Sequence, residues 1–182
     1  MIRTARLAVL TALALGSTLG LGAQTASAAT AFANLYMATP TGRGVAVGSA
    51  IFTDTGNGAH IRLNLHGLPP GEHGFHVHSH GSCDPSMKDG QMVMAGAAGG
   101  HYDPDIFDRH QGPAGRGHLG DLPFLTVGPD GSDNETLDAP RIRDVAGLKG
   151  HTLMIHEGGD NYADTPAPLG GGGPRMACGL IQ

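Results

Sequence analysis

Short runs in which apolar and polar residues alternate recur along this chain, and this two-residue period most constrains its fold. "AHIRLNLHGL", beginning at residue 59, is one such run, and the turn sequence "TGNG" at residues 55–58 predicts a hairpin with the run before it. Further runs begin near residues 33, 44, 73, 123, 133, 151 and 175. We therefore expect an all-β fold in one domain, an antiparallel Greek-key sandwich or flattened barrel of about eight strands.

Composition also favours strands and ordered loops over helices. The 182 residues include 31 glycines and 12 prolines, no tryptophan, and lysine only at Lys88 and Lys149. Alternation stops between about residues 82 and 122, and a second glycine- and proline-rich segment covers residues 157–175. Long segments without regular structure are usually functional or disordered. Because their polar residues are chemically specific, we interpret both as functional loops.

The N-terminus has the layout of a secretory signal peptide. Two arginines precede an apolar run at residues 7–15, and small residues follow up to Ala28. We predict a signal peptide at residues 1–29, with cleavage near Ala28 or Ala29, followed by the folded domain at residues 30–182. A membrane anchor is the alternative, but the run falls short of the roughly 20 residues that cross a bilayer. The protein is expected to be exported, periplasmic or secreted, without a membrane anchor.

Export determines how the two cysteines and the charge are interpreted. Cys83 and Cys178 are the only cysteines, and in an oxidising compartment we expect one disulfide between them. Two free buried thiols are the less favoured alternative. The formal net charge is −5, and loss of the two arginines in the signal peptide makes it more negative by two. An acidic, lysine-poor protein is a poor candidate for binding nucleic acid.

The segment "GFHVHSHGSC" at residues 74–83 raises the possibility of a metal site. Strand alternation places Phe75 and Val77 on one face and His76 and His78 on the other, with the two imidazoles about 6.5–7 Å apart. They could converge on one ion. For this segment alone, two solvated histidines on a polar face are the better interpretation.

The long loop makes a metal site more plausible. His101, His110, His118 and Asp121 occur at short intervals and form a plausible N₃O ligand set, which zinc accepts. A polar loop with incidental histidines is the alternative. His156, in a later strand, could complete an all-imidazole site with the two strand histidines; imidazole suits Zn, Cu, Fe or Ni.

Two charged residues could assist these sites. Asp160 could fix a ligand histidine by accepting its other N–H, although a role in the turn is equally consistent with the local sequence. Arg175 lies three residues before Cys178 and could dock a small anion near a metal; a surface arginine is the alternative.

Six motifs occur in an order that resembles copper–zinc superoxide dismutase, in particular the exported bacterial type: "GFHVH", "GGHYDP", "RHQGP", "GHLGDL", "MIHEGGDN" and "RMACG". The bacterial type is also similar in "MKDG", "KGHTLMIH" and "APLGGGGPR". The resemblance extends from about residue 44 to residue 182 and includes every functional position of the family.

The resemblance implies a role for each of these residues. One copper and one zinc per chain are implied, with two ligand sets that share one histidine: copper on His76, His78, His101 and His156, and zinc on His101, His110, His118 and Asp121. His101 is implied to bridge the metals as an imidazolate. Asp160 is implied to join His76 to His110, Arg175 to dock superoxide, and Cys83 to pair with Cys178.

The implied activity is dismutation of superoxide to oxygen and hydrogen peroxide, protecting against extracytoplasmic superoxide. Because the substrate is an anion and the protein is negative, a local field must guide it. Lys88 is the candidate for steering beside Arg175, whereas Gln91 stands where bacterial relatives often carry another lysine. Family members differ in oligomeric state, and the resemblance is compatible with either a monomer or a homodimer.

Two other functions are weaker alternatives. A copper or zinc buffer needs neither Arg175 nor Asp160, and a zinc hydrolase needs a general base that the histidine cluster lacks. The remaining histidines are expected to serve strands and turns: His60, His66, His73, His80 and His151. Met92 and Met94 could bind Cu(I) weakly, but packing is the favoured interpretation.

Overall fold

The computed structural model describes residues 28–182. The predicted signal peptide therefore lies outside the described residues except for Ala28 and Ala29, which precede the first strand. Within the described range, no helix has the length and apolarity needed to cross a bilayer.

The described chain is built from antiparallel strands and three short 3₁₀ helices, which confirms the all-β prediction. All eight predicted runs contain strand residues. The strands are β1 Thr30–Thr39, β2 Gly42–Asp54, β3 Ala59–Leu65, β4 Gly71–His73, β5 Phe75–His78, β6 Ser86–Lys88, β7 Gln91–Val93, β8 Leu125–Val127, β9 Thr136–Ala139, β10 Thr152–His156 and β11 Arg175–Leu180.

Seven strands form one curled sheet in the order β5-β10-β11-β1-β2-β3-β9. Successive strands β1, β2 and β3 pair as hairpins, and the "TGNG" turn joins β2 to β3 as predicted. By contrast, β10 and β11 lie between β5 and β1, far from them in sequence. Such long return connections are typical of Greek-key topology. Two two-stranded sheets, β4-β8 and β6-β7, complete the strand pairing of the described residues.

Strand alternation divides the buried side chains between two faces of the sheet. Phe75 and Val77 are fully buried in the main core, as predicted, together with Phe52 and Leu153. Truncating a core phenylalanine of this kind to alanine typically costs about 3–5 kcal/mol. The opposite face of β5 and β10 is therefore free to carry polar side chains.

A second, smaller cluster covers part of that opposite face, and we call it the outer cluster. Met94 and Leu180 pack against its six buried members, which are Ala38, Cys83, Ala95, Ala98, Met154 and Cys178. Cys83 and Cys178 form a disulfide with Cα atoms 6.0 Å apart, as predicted. The bridge fixes the start of the long loop to β11, beside the histidines of β5.

The expectation of no regular structure between residues 82 and 122 was wrong at one place. The hairpin of β6 and β7 lies there, followed by a 3₁₀ helix at Gly96–Ala98. Asp89 and Gly90 both have positive φ values, 51° and 76°, as a type I′ turn requires. The alternation signal was missed because each strand has only three residues and most of them are exposed.

Candidate metal centre

The polar face of β5 and β10 carries histidines that lie beneath the long loops. β5 supplies His76 and His78, and β10 supplies His156. The loop reaches the same place because His101 forms an isolated bridge with His78, and Asp121 one with His76. These side chains do not face water: His76 is 0% exposed and His101 6%.

The first cluster consists entirely of imidazoles. One ring nitrogen from each of four histidines lies within 4.8 Å of the others: His76, His78, His101 and His156. His78 Nε2 and His156 Nε2 are 3.3 Å apart. His76 Nδ1 and His101 Nε2 are buried and have no hydrogen-bond partner within residues 28–182. The cluster therefore presents unpaired nitrogens to one small volume.

The second cluster combines three histidines with one carboxylate. Asp121 Oδ1 lies 3.0 Å from His101 Nδ1, 3.0 Å from His110 Nδ1 and 3.2 Å from His118 Nδ1. His101 belongs to both clusters, with Nδ1 in this one and Nε2 in the first. The structure thus brings together all seven residues of the two predicted ligand sets.

Backbone carbonyls orient two rings of the first cluster. His78 Nδ1 donates to the Gly99 carbonyl at 2.9 Å, and His156 Nδ1 donates to the Gly173 carbonyl at 3.0 Å. Because Nδ1 carries the hydrogen in each ring, the neutral imidazole leaves its Nε2 lone pair free. Both Nε2 atoms face the cluster, as a metal ligand requires.

Asp160 links the two clusters. Its Oδ2 accepts from His76 Nε2 at 2.8 Å and its Oδ1 accepts from His110 Nε2 at 2.7 Å. Gly170 packs against this carboxylate with a φ of 73°, and a Cβ there would overlap Asp160 and His110. Glycine is therefore required at this position for both conformational and steric reasons.

Burial lowers the basicity of the first cluster. Burial, reinforced by the neighbouring His101, lowers the pKa of His76 to about 3, although Asp160 partly opposes this. Burial likewise lowers the pKa of His156 to about 4, despite the hydrogen bond to the Gly173 carbonyl. The pKa of His78 also falls well below its usual range, again mainly through burial and then His101. These imidazoles are neutral at physiological pH, which is the form that binds metals.

Carboxylates have the opposite effect in the second cluster. Burial would lower the pKa of His110, but the nearby carboxylate of Asp121 and the hydrogen bond with Asp160 outweigh it and raise the pKa to about 9. Burial would raise the pKa of Asp121, yet the three histidines around its carboxylate hold the pKa well below its usual range. Asp121 is therefore ionised at physiological pH, and its carboxylate is a suitable ligand for a cation that displaces the proton of His110.

Arg175 lies beside the first cluster. It is half-buried, and its guanidinium donates to the carbonyls of Ala95, at 2.6 Å, and Gly99. Its charge helps to lower the pKa of both His78 and His156, after the larger effects of burial and His101. An arginine has five N–H donors, so two carbonyl bonds leave others for an anion. Lys88, the predicted steering residue, is exposed on β6.

Two further residues fix the loops and were missed from the sequence. Arg141 donates to the carbonyls of Gly117, at 2.8 Å, and His118, at 2.9 Å. Asp164 accepts from the backbone N–H of His110 at 2.9 Å. Both contacts join segments distant in sequence through backbone atoms, so no side-chain motif signals them.

The other histidines have structural or surface positions. His73 is buried, with ring nitrogens 2.9 Å from the His156 and Pro69 carbonyls, and His151 lies 2.8 Å from the Ser79 carbonyl. His60 pairs with Asp138 on the surface. His66 and His80 are exposed, and neither belongs to a histidine cluster found in residues 28–182.

The donor atoms fit two cations. A buried polar nitrogen without a partner costs about 1–3 kcal/mol, and His76 Nδ1, His101 Nε2 and His110 Nδ1 are three such atoms within the described range. His110 Nδ1 lies near Asp121 without hydrogen-bond geometry. A four-imidazole set suits copper among other metals, and a His₃Asp set suits zinc.

Comparison with known proteins agrees with a copper site and a zinc site. The family profile described as "Copper/zinc superoxide dismutase (SODC)" matches residues 46–181. The chain is 49% identical over 168 residues to the Cu-Zn superoxide dismutase of Brucella abortus biovar 1 (strain 9-941), an alignment that covers 92% of this chain and 97% of that protein.

Solved structures agree with the sequence comparison. The Cu/Zn superoxide dismutase from Brucella abortus superposes with a TM-score of 0.83 at 49% identity, over 85% of this chain and 100% of that one. The monomeric copper, zinc superoxide dismutase from Salmonella enterica has a TM-score of 0.75 at 49% identity, with the same coverage of both chains.

Proposed function

Because the chain belongs to the copper/zinc superoxide dismutase family, we propose that its two histidine clusters are a copper site and a zinc site that share His101. Dismutation of superoxide with copper and zinc as cofactors is the activity of this enzyme. What we propose is which residues of this chain bind the two metals and the superoxide. The observation that carries it is the position of His101, whose two ring nitrogens face different clusters.

The four-imidazole cluster would hold copper, and the cluster that contains Asp121 would hold zinc. The low pKa values of His76 and His156, caused mainly by burial, favour neutral nitrogens for copper. The carboxylate of Asp121 gives the other cluster the His₃Asp composition that zinc accepts. His101 would serve both sites as an imidazolate, because one of its ring nitrogens lies in each cluster. All seven proposed ligands come from one chain.

Copper supplies one-electron redox chemistry when bound, and the surrounding residues supply substrate binding and proton handling. Arg175 holds superoxide through the N–H groups that Ala95 and Gly99 leave free. His101 Nε2, which has no hydrogen-bond partner in residues 28–182, could hold a proton for the peroxide product whenever this nitrogen is not bound to copper. Burial of the histidines keeps bulk water from the ligand nitrogens.

A local positive field attracts the anionic substrate to a negatively charged protein. Arg175 lies at the site, and Lys88 is exposed on the hairpin whose following segment accepts hydrogen bonds from Arg175. Salt screens such a field, so the rate of substrate capture falls as ionic strength rises. Lys88→Glu tests the steering: it should lower the low-salt rate more than the high-salt rate. An unchanged low-salt rate would exclude Lys88.

The enzyme acts on superoxide outside the cytoplasm. The disulfide between Cys83 and Cys178 is typical of oxidising compartments, and residues 1–29 have the pattern of a signal peptide. Cell fractionation and N-terminal sequencing of the mature protein test this. A mature chain that begins near residue 29 or 30 in the periplasm or medium is expected, and an uncleaved cytoplasmic chain would contradict it.

Metal analysis combined with a superoxide-decay assay tests the ligand assignment. The mature protein should hold one copper and one zinc per chain, and His78→Ala should lose copper and activity. His80→Ala is the matched control, because His80 lies two residues further on but is exposed. Metal-loaded protein with only background decay would instead indicate a metal buffer. Copper retained in the His78→Ala variant would overturn the assignment.

A further inference from the structure

The β6-β7 hairpin carries two exposed methionine side chains next to each other on one face. Met87 and Met92 are cross-strand partners in this hairpin. They are 65% and 57% exposed, although methionine side chains are usually buried. Neither belongs to a packing cluster of the described residues. The exposed pair therefore has no role in core packing.

The turn determines how closely the two side chains approach. Asp89 and Gly90 form a two-residue type I′ turn, so Lys88 and Gln91 are the hydrogen-bonded pair that flanks it. Met87 and Met92 are then the adjacent non-hydrogen-bonded pair, whose Cα atoms lie about 4.5 Å apart with both side chains on one face. Alternation directs the Lys88 ammonium to the other face.

We propose that Met87 and Met92 form a surface binding site for Cu(I), separate from the two histidine clusters. Thioether sulfur is a soft ligand that selects Cu(I). Three rotatable bonds in each side chain allow both sulfurs to turn toward one ion. A thioether carries no proton to lose, so binding at this site needs no deprotonation, unlike binding to imidazole.

The hairpin is connected to the face of the sheet that carries the proposed copper ligands. β7 leads directly into Met94, which packs against the outer cluster that contains Met154, and Met154 is the strand partner of His76. The hairpin is thus joined by a few residues to the face that holds the proposed copper ligands. We infer that the surface pair takes up Cu(I) for this face. This purpose rests on the proposed function, whereas thioether binding itself does not.

Silver(I) titration of the copper- and zinc-loaded enzyme tests the site, because Ag(I) is a soft, redox-inert ion and the six histidines of the two clusters are already occupied. Methyl NMR of ¹³C-methionine-labelled protein should show the Met87 and Met92 signals shifting together, with one additional Ag(I) per chain. Met87→Leu should weaken this binding at least tenfold. Met37→Leu, on β1, is the control and should leave it unchanged. Equal binding by wild type and Met87→Leu would overturn the proposal.

Two further measurements separate this site from histidine ligation. The Ag(I) affinity should be the same at pH 5 and pH 7, and a strong decrease at pH 5 would contradict thioether binding. Under anaerobic conditions, wild type should retain one more Cu(I) per chain than Met87→Leu/Met92→Leu in competition with a Cu(I) chelator.

Dismutase activity is measured in the same samples. An active enzyme without the additional Ag(I) contradicts only the surface site, whereas a surface site on an inactive, fully loaded protein contradicts only the proposed function.

Discussion

Asp160 Oδ2 accepts a hydrogen bond from His76 Nε2 at 2.8 Å, although the two residues are 84 positions apart in sequence. The other oxygen accepts from His110, so one carboxylate orients a ring in each cluster. An amide in its place can accept only one of these bonds and turns an N–H₂ group toward the other ring.

Asp160→Asn should therefore weaken metal binding by about 10–100-fold, measured as copper and zinc affinity by chelator competition. Asp138→Asn is the control, since Asp138 pairs with His60 on the surface. Unchanged affinities in Asp160→Asn would show that this link does not tune the metal sites.

Arg141 should stabilise the zinc half of the centre through the backbone. Arg141→Gln removes donors from the Gly117 and His118 carbonyls and should cost about 1–3 kcal/mol of unfolding free energy. It should also weaken zinc binding, because His118 is then less firmly placed. Arg143→Gln, two residues away and exposed, is the matched control. Urea unfolding and zinc competition measure both effects, and equal values for the two variants would refute the role.

Zinc binding should release a proton. With a pKa of about 9, raised by Asp121 and Asp160 against the effect of burial, His110 is protonated in the metal-free protein at pH 7.5. Zinc requires the neutral nitrogen. Calorimetric titration in buffers of different ionisation enthalpy should detect about one proton released per zinc at pH 7.5, declining above pH 9. Zinc uptake without proton release at pH 7.5 would contradict the assignment of His110.

Stability of the metal-free protein should be highest near pH 6.5. His76 and His156 have folded pKa values of about 3 and about 4, below 6.5, so stability is lost as pH falls from 6.5 toward 4. His110 affects the unfolding free energy in the opposite direction with pH. Because its folded pKa is about 9, above 6.5, its contribution to stability is lost as pH rises from 6.5 through 9. Each group changes the unfolding free energy by at most about 1.4 kcal/mol per pH unit. Urea unfolding at pH 4.5, 6.5 and 9 checks this, and a steady rise to pH 9 would be inconsistent with it.

Loss of the disulfide should lower the stability of the fold but leave the histidine clusters able to bind metal. The cysteines are 95 residues apart, and in the chain-entropy model such a bridge contributes about 4–5 kcal/mol. Cys83→Ala/Cys178→Ala should therefore lower the unfolding free energy of the metal-free protein by about 4–5 kcal/mol. This loss should appear as a lower urea midpoint. The variant should still bind copper once folded, since neither sulfur belongs to a histidine cluster of the described residues. An unchanged midpoint would show that the bridge adds no stability.

The strands and the histidine positions could be predicted because each depends on local pattern. Alternation in "FHVH" places His76 and His78 opposite the core, and the structure has Phe75 and Val77 in the core. The order of the motifs predicts which distant histidines group together, whereas alternation alone does not. The hairpin of β6 and β7 was missed because its short strands bury little apolar surface.

Contacts to backbone atoms could not be predicted at all. The carbonyls of Gly99 and Gly173 fix two imidazoles, and those of Gly117 and His118 hold Arg141. Every residue has a carbonyl, so the sequence does not mark which ones are used. These partners depend on how the loops pack, which is a property of the whole fold.

The Gly99 carbonyl accepts from both His78 and Arg175, and this common acceptor limits how the enzyme can be redesigned. A change in residues 95–99 that shifts this oxygen must displace the imidazole and the guanidinium together. In the proposed assignment, where Arg175 docks the substrate and His78 binds copper, substrate affinity and the electronic properties of the metal therefore cannot be adjusted independently through this loop. A side chain at position 99 is also resisted, because its Cβ would press against the His80 ring. Variants selected for altered anion preference should accordingly carry their changes outside this short segment.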